Sequence, residues 1–354
     1  MNASLNNTNV KNDVRAFVWR HDHLLLLDQR RLPQAEIWET LSDLPAVAAA
    51  IHDMRVRGAP AIGICAAYAV VLAAQQRYAQ NPQTWTQLIQ ADLIQLVAAR
   101  PTAVNLQWAV TRMQQCILEN INAPDVLQLL ENAARNIEAE DLAANYRMAE
   151  WGAAYLNDQC GVLTHCNTGS LATAGHGTAL GVIRTAHRAG KIGALYADET
   201  RPWLQGSRLT AWELSRDNIP VTLICEGAAA SLMQQKKVDW IIVGADRITA
   251  NGDVANKIGT YSLAVLAKHH GVKVMVVAPS STVDLSLTSG AQIHIEERSN
   301  TEILTLNGHL IDAENINAWN PVFDITPAEL IDVLVTERGV IEKPALGKLA
   351  AILN

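Results

Sequence analysis

Five short apolar runs in the second half of the chain restrict its fold more than any other feature. They are GVLTH (161–165), IGALYA (192–197), VTLIC (221–225), WIIVGA (240–245) and VKVMVVA (272–278). Each is rich in β-branched residues and is separated from the next by a loop and a helix-length segment. Continuous rather than alternating apolarity is the mark of strands covered on both faces. Strands alternating with helices imply a parallel, doubly wound sheet. The fold class expected is therefore α/β, with a Rossmann-like C-terminal domain from about residue 146 to 354. No G-x-G-x-x-G follows the first run, so a dinucleotide cofactor is not indicated.

The first half reads differently. Residues 14–28, VRAFVWRHDHLLLLD, suggest two strands around a turn at His21-Asp22-His23. From about Leu41 to Leu156 apolar residues recur at helical spacing, with breaks at RGAP (57–60), NP (81–82), RPT (100–102) and APD (123–125). A mixed, mostly helical N-terminal domain over residues 1–145, opening with a β-hairpin, is expected. A chain of 354 residues suits two such units.

Composition removes several classes of function. The net charge is −7 with no basic run, which argues against a nucleic-acid partner. The longest apolar segment, Ala61 to Ala74, is too short to span a bilayer and reads as a buried helix. The first residues, MNASLNNTNVKNDVR, lack the apolar core of a signal peptide. Five scattered cysteines with no C-x-x-C oppose a disulfide framework or structural zinc and fit a reducing cytoplasm.

Ligands of an open parallel sheet bind beyond the carboxyl ends of its strands. The residues found there are Cys166-Asn167-Thr168 after the first run, Asp198, Gln205 and Arg208 after the second, and Glu226 after the third. Asp246, Asn256 and Lys257 follow the fourth. Cys166 read alone is a small core residue. At a strand end before a helix, however, backbone N–H groups would lower its pKa and make it reactive. Asp246, desolvated beside an apolar strand, would have a raised pKa and serve as a general acid. Asn256 reads as a helix N-cap, with Lys257 in the first turn, where a cation opposes the helix dipole unless an anion sits there. Arg57 before Gly58-Ala59-Pro60 has the same logic at a second helix start. Thiol, carboxyl and two cationic helix starts together point to a small phosphorylated substrate, acid/base chemistry and no metal.

The motifs DMRVRGAPAIG (53–63), RPTAVNL (100–106), THCNTGSLATAGHGTALG (164–181), ADETRPWLQGSRLTAWEL (197–214) and GADRITANGDVANKIGTYSLAVLAKHHGVKV (244–274) closely resemble the methylthioribose-1-phosphate isomerase family. That family is shared with the α, β and δ subunits of translation initiation factor 2B. The resemblance covers roughly residues 14–345. It implies an isomerase of methionine salvage, usually a homodimer, that needs no metal or organic cofactor. By the resemblance Cys166 and Asp246 match the catalytic pair, and Arg57, Gly58, Ala59, Arg100, Gln205, Asn256 and Lys257 match substrate-binding positions. The chain departs from the family pattern at Glu226-Gly227-Ala228-Ala229-Ala230, which places a change in the wall expected near the sugar's C5. A different sugar 1-phosphate (5-deoxyribose 1-phosphate or ribose 1,5-bisphosphate) and a non-catalytic regulatory subunit are the competing readings.

Overall fold

The computed structural model describes residues 14–100, 104–306, 308–311 and 315–353. The start of the chain and part of the break at 100–102 lie outside them. The expected hairpin is present: β1 (Phe17–Trp19) pairs antiparallel with β2 (Leu24–Leu27), and β3 (Trp38–Leu41), unforeseen in the sequence, adds a third strand. Five helices follow, α1 (Leu44–His52), α2 (Ala59–Gln80), α3 (Trp85–Ala98), α4 (Val104–Glu119) and α5 (Val126–Ala154). Asp43 starts the first of them, its carboxylate accepting the Ala46 N–H at 2.8 Å. Helix α2 extends the apolar run to 22 residues, and every residue from Ala61 to Ala74 is buried among its neighbours. By length and composition alone α2 is long enough to cross a membrane; 78% of its most apolar window is packed inside the fold.

The remaining elements are β4 (Cys160–Thr164), α6 (Ala179–Arg188), β5 (Ile192–Asp198), α7 (Ala211–Arg216), β6 (Thr222–Ile224), α8 (Ala229–Gln234), β7 (Trp240–Val243), β8 (Arg247–Thr249), β9 (Val254–Lys257), α9 (Thr260–His270), β10 (Lys273–Val277), β11 (Val283–Asp284), α10 (Thr301–Leu304), β12 (Thr305–Leu306), β13 (His309–Leu310), β14 (Phe323–Thr326), β15 (Val333–Thr336), β16 (Gly339–Glu342) and α11 (Lys348–Leu353). The five apolar runs form β4, β5, β6, β7 and β10 of one sheet. That sheet has seven strands, in the order β16-β15-β10-β7-β4-β5-β6, because β15 adds a sixth parallel strand and β16 an antiparallel one. Strand β6 lies at the edge with Leu223 43% exposed, so its continuous apolarity does not reflect cover on both faces.

One core joins helices α1 to α5 to the first three strands. Two others lie on opposite faces of the large sheet, one under α5, α6 and α7 and the other under α8 and α9. Residue 145, the expected domain boundary, falls inside α5, whose first half packs in the helical core and whose second half packs on the sheet.

Among the six parallel strands the order along the sheet reverses between β4 and β7. Such a reversal leaves a crevice above the carboxyl ends of the two central strands. Cys166 follows β4 and Asp246 follows β7.

Candidate active site

A cavity opens at that crevice, with about 720 Å³ of empty space counted out into the solvent at its mouth. Cys166, Asp246, Arg57, Gly58, Ala59, Arg100, Gln205, Asn256 and Lys257 all line it. The helical layer supplies Arg57 to Ala59 and Arg100, so the cavity lies between that layer and the sheet.

Two strand ends hold unusual backbone. Cys166 has φ +64° and Thr200, beyond β5, has φ +58°. Left-handed conformations are strained for such residues and persist only where bonding fixes them. Here the Cys166 N–H donates to Thr200 Oγ1 at 2.9 Å, and Thr210 Oγ1 donates to the Cys166 carbonyl at 2.6 Å. The loop beyond is held from below by the buried Glu213 carboxylate. It accepts from Asn167 Nδ2 (2.9 Å), Ser170 N (2.7 Å) and Leu171 N (3.2 Å), with its charge matched by Arg184 at 2.9 Å.

Arg57 is buried against Trp203, with Cζ 5.4 Å from the indole centroid. With the Gln205 amide turned to present its oxygen, Arg57 Nη2 donates to it at 2.6 Å, while the Gln205 nitrogen donates to the Thr200 carbonyl at 3.1 Å. Arg57 Nη1 is buried with no partner. Next to it Gly58 has φ +87°, and a Cβ there would lie 2.5 Å from Ala172 Cα, so only glycine brings this helix start so close.

The second helix-start argument needs correction. Lys257 is the last residue of β9, not part of α9's first turn, and Gly259 occupies the N-cap of α9. Asn256 does not cap that helix; its Nδ2 donates to Thr260 Oγ1 at 3.0 Å. Lys257 Nζ is held by the Val322 carbonyl at 3.1 Å and lies 4.7 Å from the Phe323 ring centroid. Lys257 still lines the cavity, but it is placed there by the small sheet of β8, β9, β11 and β14 and not by a helix start.

Burial dominates the electrostatics. It pushes the Asp246 carboxyl up against the opposing pull of Lys257, Arg100, Arg57 and Arg298, in the direction expected from sequence. It also raises the Cys166 thiol, although Lys257, Arg57 and the Asn167 N–H act the other way. The lowered thiol pKa expected from a following helix is therefore overturned. The α-helix that follows Cys166 in the chain, α6, begins only at Ala179, so it does not start directly beyond the thiol. Burial lowers Lys257 to about 8 and Arg57 to about 9, so both stay charged at neutral pH. Burial and Arg298 lower Arg100 as well. The result is a cluster of cations facing a thiol and a carboxyl whose pKa values burial raises, a setting that favours an anion.

Glu226, expected near the sugar, does not line the cavity; its carboxylate accepts the Arg201 N–H instead. Phe323 and Arg298 were missed. Phe323 reaches the wall because β14 pairs with β9 in a register that sets it beside Lys257, and nothing in the local sequence signals that pairing. No group of three or more His, Cys, Asp or Glu among the described residues could hold a metal ion.

A doubly wound sheet with a thiol, a carboxyl of raised pKa and a cation cluster at its switch point defines an α/β protein with a small polar cavity at the carboxyl ends of its strands. The chain belongs to the initiation factor 2 subunit family, whose model matches residues 55–343. It is 58% identical to the methylthioribose-1-phosphate isomerase of Thioalkalivibrio sulfidiphilus, over 96% of this chain and 97% of that protein. It is 59% identical to the protein of the same name from Alkalilimnicola ehrlichii, over 97% and 99% of the two. The crystal structure of 5-methylthioribose 1-phosphate isomerase from Pyrococcus horikoshii OT3 is similar with a TM-score of 0.91, 43% identity and 98% coverage of both chains. That of translation initiation factor 2B, subunit delta, from A. fulgidus has a TM-score of 0.85 and 40% identity, covering 96% of this chain and 99% of that one.

Proposed function

We propose that this chain isomerises 5-methylthioribose 1-phosphate to 5-methylthioribulose 1-phosphate in methionine salvage, acting as a cytoplasmic homodimer. The observation that carries the reading is the pairing of two acids of raised pKa, Cys166 and Asp246, with a cation cluster in one cavity. A regulatory subunit on this fold would need neither acid. All five cysteines are free, as a reducing compartment requires.

The phosphate on the anomeric oxygen blocks simple ring opening to an aldehyde. The ring C–O bond must break with the phosphate retained, and hydrogen must move from C2 to C1. Asp246, whose protonated form burial favours, donates to the ring oxygen as that bond breaks. Cys166 faces C2. A thiol kept neutral by burial favours direct passage of the hydrogen to C1 as hydride, with Cys166 shielding the cationic centre, over abstraction by a thiolate. The proton left on the C2 oxygen returns to the Asp246 carboxylate. Arg57, through its unpartnered Nη1, and Lys257 hold the phosphate and oppose its loss. Apolar walls at Ala59, Ala245 and Val277 keep water from these charges.

Arg57→Ala and Lys257→Ala should each weaken substrate binding by about 1.5–3 kcal/mol, the worth of a charge-assisted hydrogen bond. Lys257 is a cation only below its lowered pKa, so kcat/KM should fall as pH rises through about 8. Lys257→Arg should move that fall to higher pH. Wild-type KM and kcat in both alanine variants would remove these residues from phosphate binding.

The end that receives C5 follows from ring geometry. In a ribofuranose C5 hangs on C4, across the ring oxygen from C1 and remote from C2. A second lobe shares Asp246, Arg100 and Phe323 with the main cavity but is not lined by Cys166. Ile62, Val104, Ala255 and Ile293 line it. Its charged groups include Arg100 and Asp246, shared with the main cavity; Glu296 accepts from Arg298 at 2.8 Å and Arg247 lies 3.8 Å from Asp284. An apolar C5 substituent fits there better than a second phosphate. Steady-state turnover of three substrates tests the proposal. kcat/KM for 5-methylthioribose 1-phosphate should exceed that for 5-deoxyribose 1-phosphate by at least roughly tenfold, and that for ribose 1,5-bisphosphate by more. Equal or better turnover of the bisphosphate would overturn it.

A further inference from the structure

One buried titratable pair at the crevice has no part in the chemistry above. His165 directly precedes Cys166, and neither its side chain nor that of Asp198 is exposed (0% each). His165 Nδ1 lies 2.8 Å from both Asp198 carboxylate oxygens, and Nε2 lies 2.9 Å from the Ile258 carbonyl. A carbonyl oxygen only accepts, so Nε2 carries a proton; Nδ1 faces a carboxylate and carries the other. The charged groups around the ring are Asp198 beyond it on β5 and Asp324 on β14. Burial opposes the imidazolium, but Asp198, the Ile258 carbonyl and Asp324 outweigh burial, and the shift is upward.

Each end of this bridge stops at a functional group. Asp198 Oδ1 accepts from Thr200 Oγ1 at 2.7 Å, and that hydroxyl oxygen accepts the Cys166 N–H. On the other side Ile258 follows Lys257, and the Val322 carbonyl accepts both the Ile258 N–H (3.0 Å) and Lys257 Nζ (3.1 Å). The ring also packs against the next turn. Gly259 has φ +105°, and a Cβ there would lie 2.9 Å from His165 Cε1. The imidazole thus ties together the ends of β4, β5 and β9.

We propose that His165 is a positioning residue that sets the spacing between the Cys166 thiol and the Lys257 ammonium, by bonding Asp198 beside the first and the Ile258 carbonyl beside the second. It rests on the reading of Cys166 and Lys257 given under Proposed function. A buried ion pair adds little net stability, and its retention here follows from the geometry it imposes.

The test has parts that need no substrate. Nitrogen-15 NMR of the wild-type protein should show both His165 ring N–H groups unchanged between about pH 6 and 8, where an ordinary histidine titrates. A single ring proton, or ordinary titration, would overturn the proposal. His165→Gln should lower kcat and raise KM, each by at least ~10-fold, because both catalytic groups move. Should that variant fail to fold, Thr200→Val removes the hydroxyl that bridges Asp198 to the Cys166 N–H and leaves the His165–Ile258 side in place. It should lower kcat by roughly tenfold with KM nearly unchanged, and shift the pH midpoint of Cys166 alkylation by iodoacetamide. Wild-type kinetics together with a wild-type alkylation profile in Thr200→Val would also overturn it. The NMR and alkylation readouts are independent of the sugar, so an error in the substrate would leave them intact and show only in turnover.

Discussion

Cys166→Ser is expected to lower kcat by at least ~10²-fold while leaving the fold intact. Serine keeps the size and hydrogen bonding of the side chain, but its hydroxyl is far less acidic and less polarisable than a thiol beside Lys257 and Arg57. The chain carries its own control at the other end of the same strand. Cys160 opens β4, is buried in the core beneath the sheet and lies away from the cavity. Cys160→Ser should change kcat by less than about twofold and cost only the modest stability usual for a single substitution. The contrast rests on strand direction alone, since only the carboxyl end of a parallel strand faces the crevice. Steady-state kinetics of the two variants, beside their thermal unfolding, checks it. Near wild-type turnover by Cys166→Ser would return that thiol to a packing role.

Asp246→Asn should produce a loss of similar size, ~10²–10⁴-fold in kcat. The substitution is nearly isosteric and preserves the Asp246 N–H bond to the Ala255 carbonyl at 2.9 Å, so the loop should hold its shape. What it removes is the carboxylic proton. Burial raises the Asp246 pKa, which favours the protonated form that can donate, and that contribution is lost as pH rises through the raised pKa. Asparagine has no proton to give at any pH. The remaining activity of Asp246→Asn should therefore lose that alkaline dependence, keeping only the one set by Lys257. A variant with wild-type kcat would mean that the ring oxygen is protonated by another group.

Much of the site was legible because it depends on short-range features. Cys166 and Asp246 each follow a four- to five-residue buried strand, and strand direction then fixes which edge they occupy. Arg57 was legible because Gly58 and Pro60 mark a helix start that the structure brings against Ala172. Lys257 was found for the wrong reason. Val254, Ala255, Asn256 and Lys257 are all buried, so β9 shows no alternation, and the left-handed Gly259 delays α9 by three residues. The direction of the Cys166 pKa could not be read locally, because it is set by how far other parts of the chain shield the thiol from water. Phe323, Arg298 and the lobe around Ile293 were hidden for the same reason: their place depends on β14 and its neighbours pairing across more than sixty residues of chain.

The most direct measurement is proton and phosphorus-31 NMR of 5-methylthioribose 1-phosphate incubated with the purified protein and no added metal or cofactor. The account predicts conversion to a 2-ketose whose phosphate ester remains on C1, with no inorganic phosphate released and no conversion by Asp246→Asn on the same timescale. An unchanged substrate, or release of inorganic phosphate in place of the ketose, would contradict it.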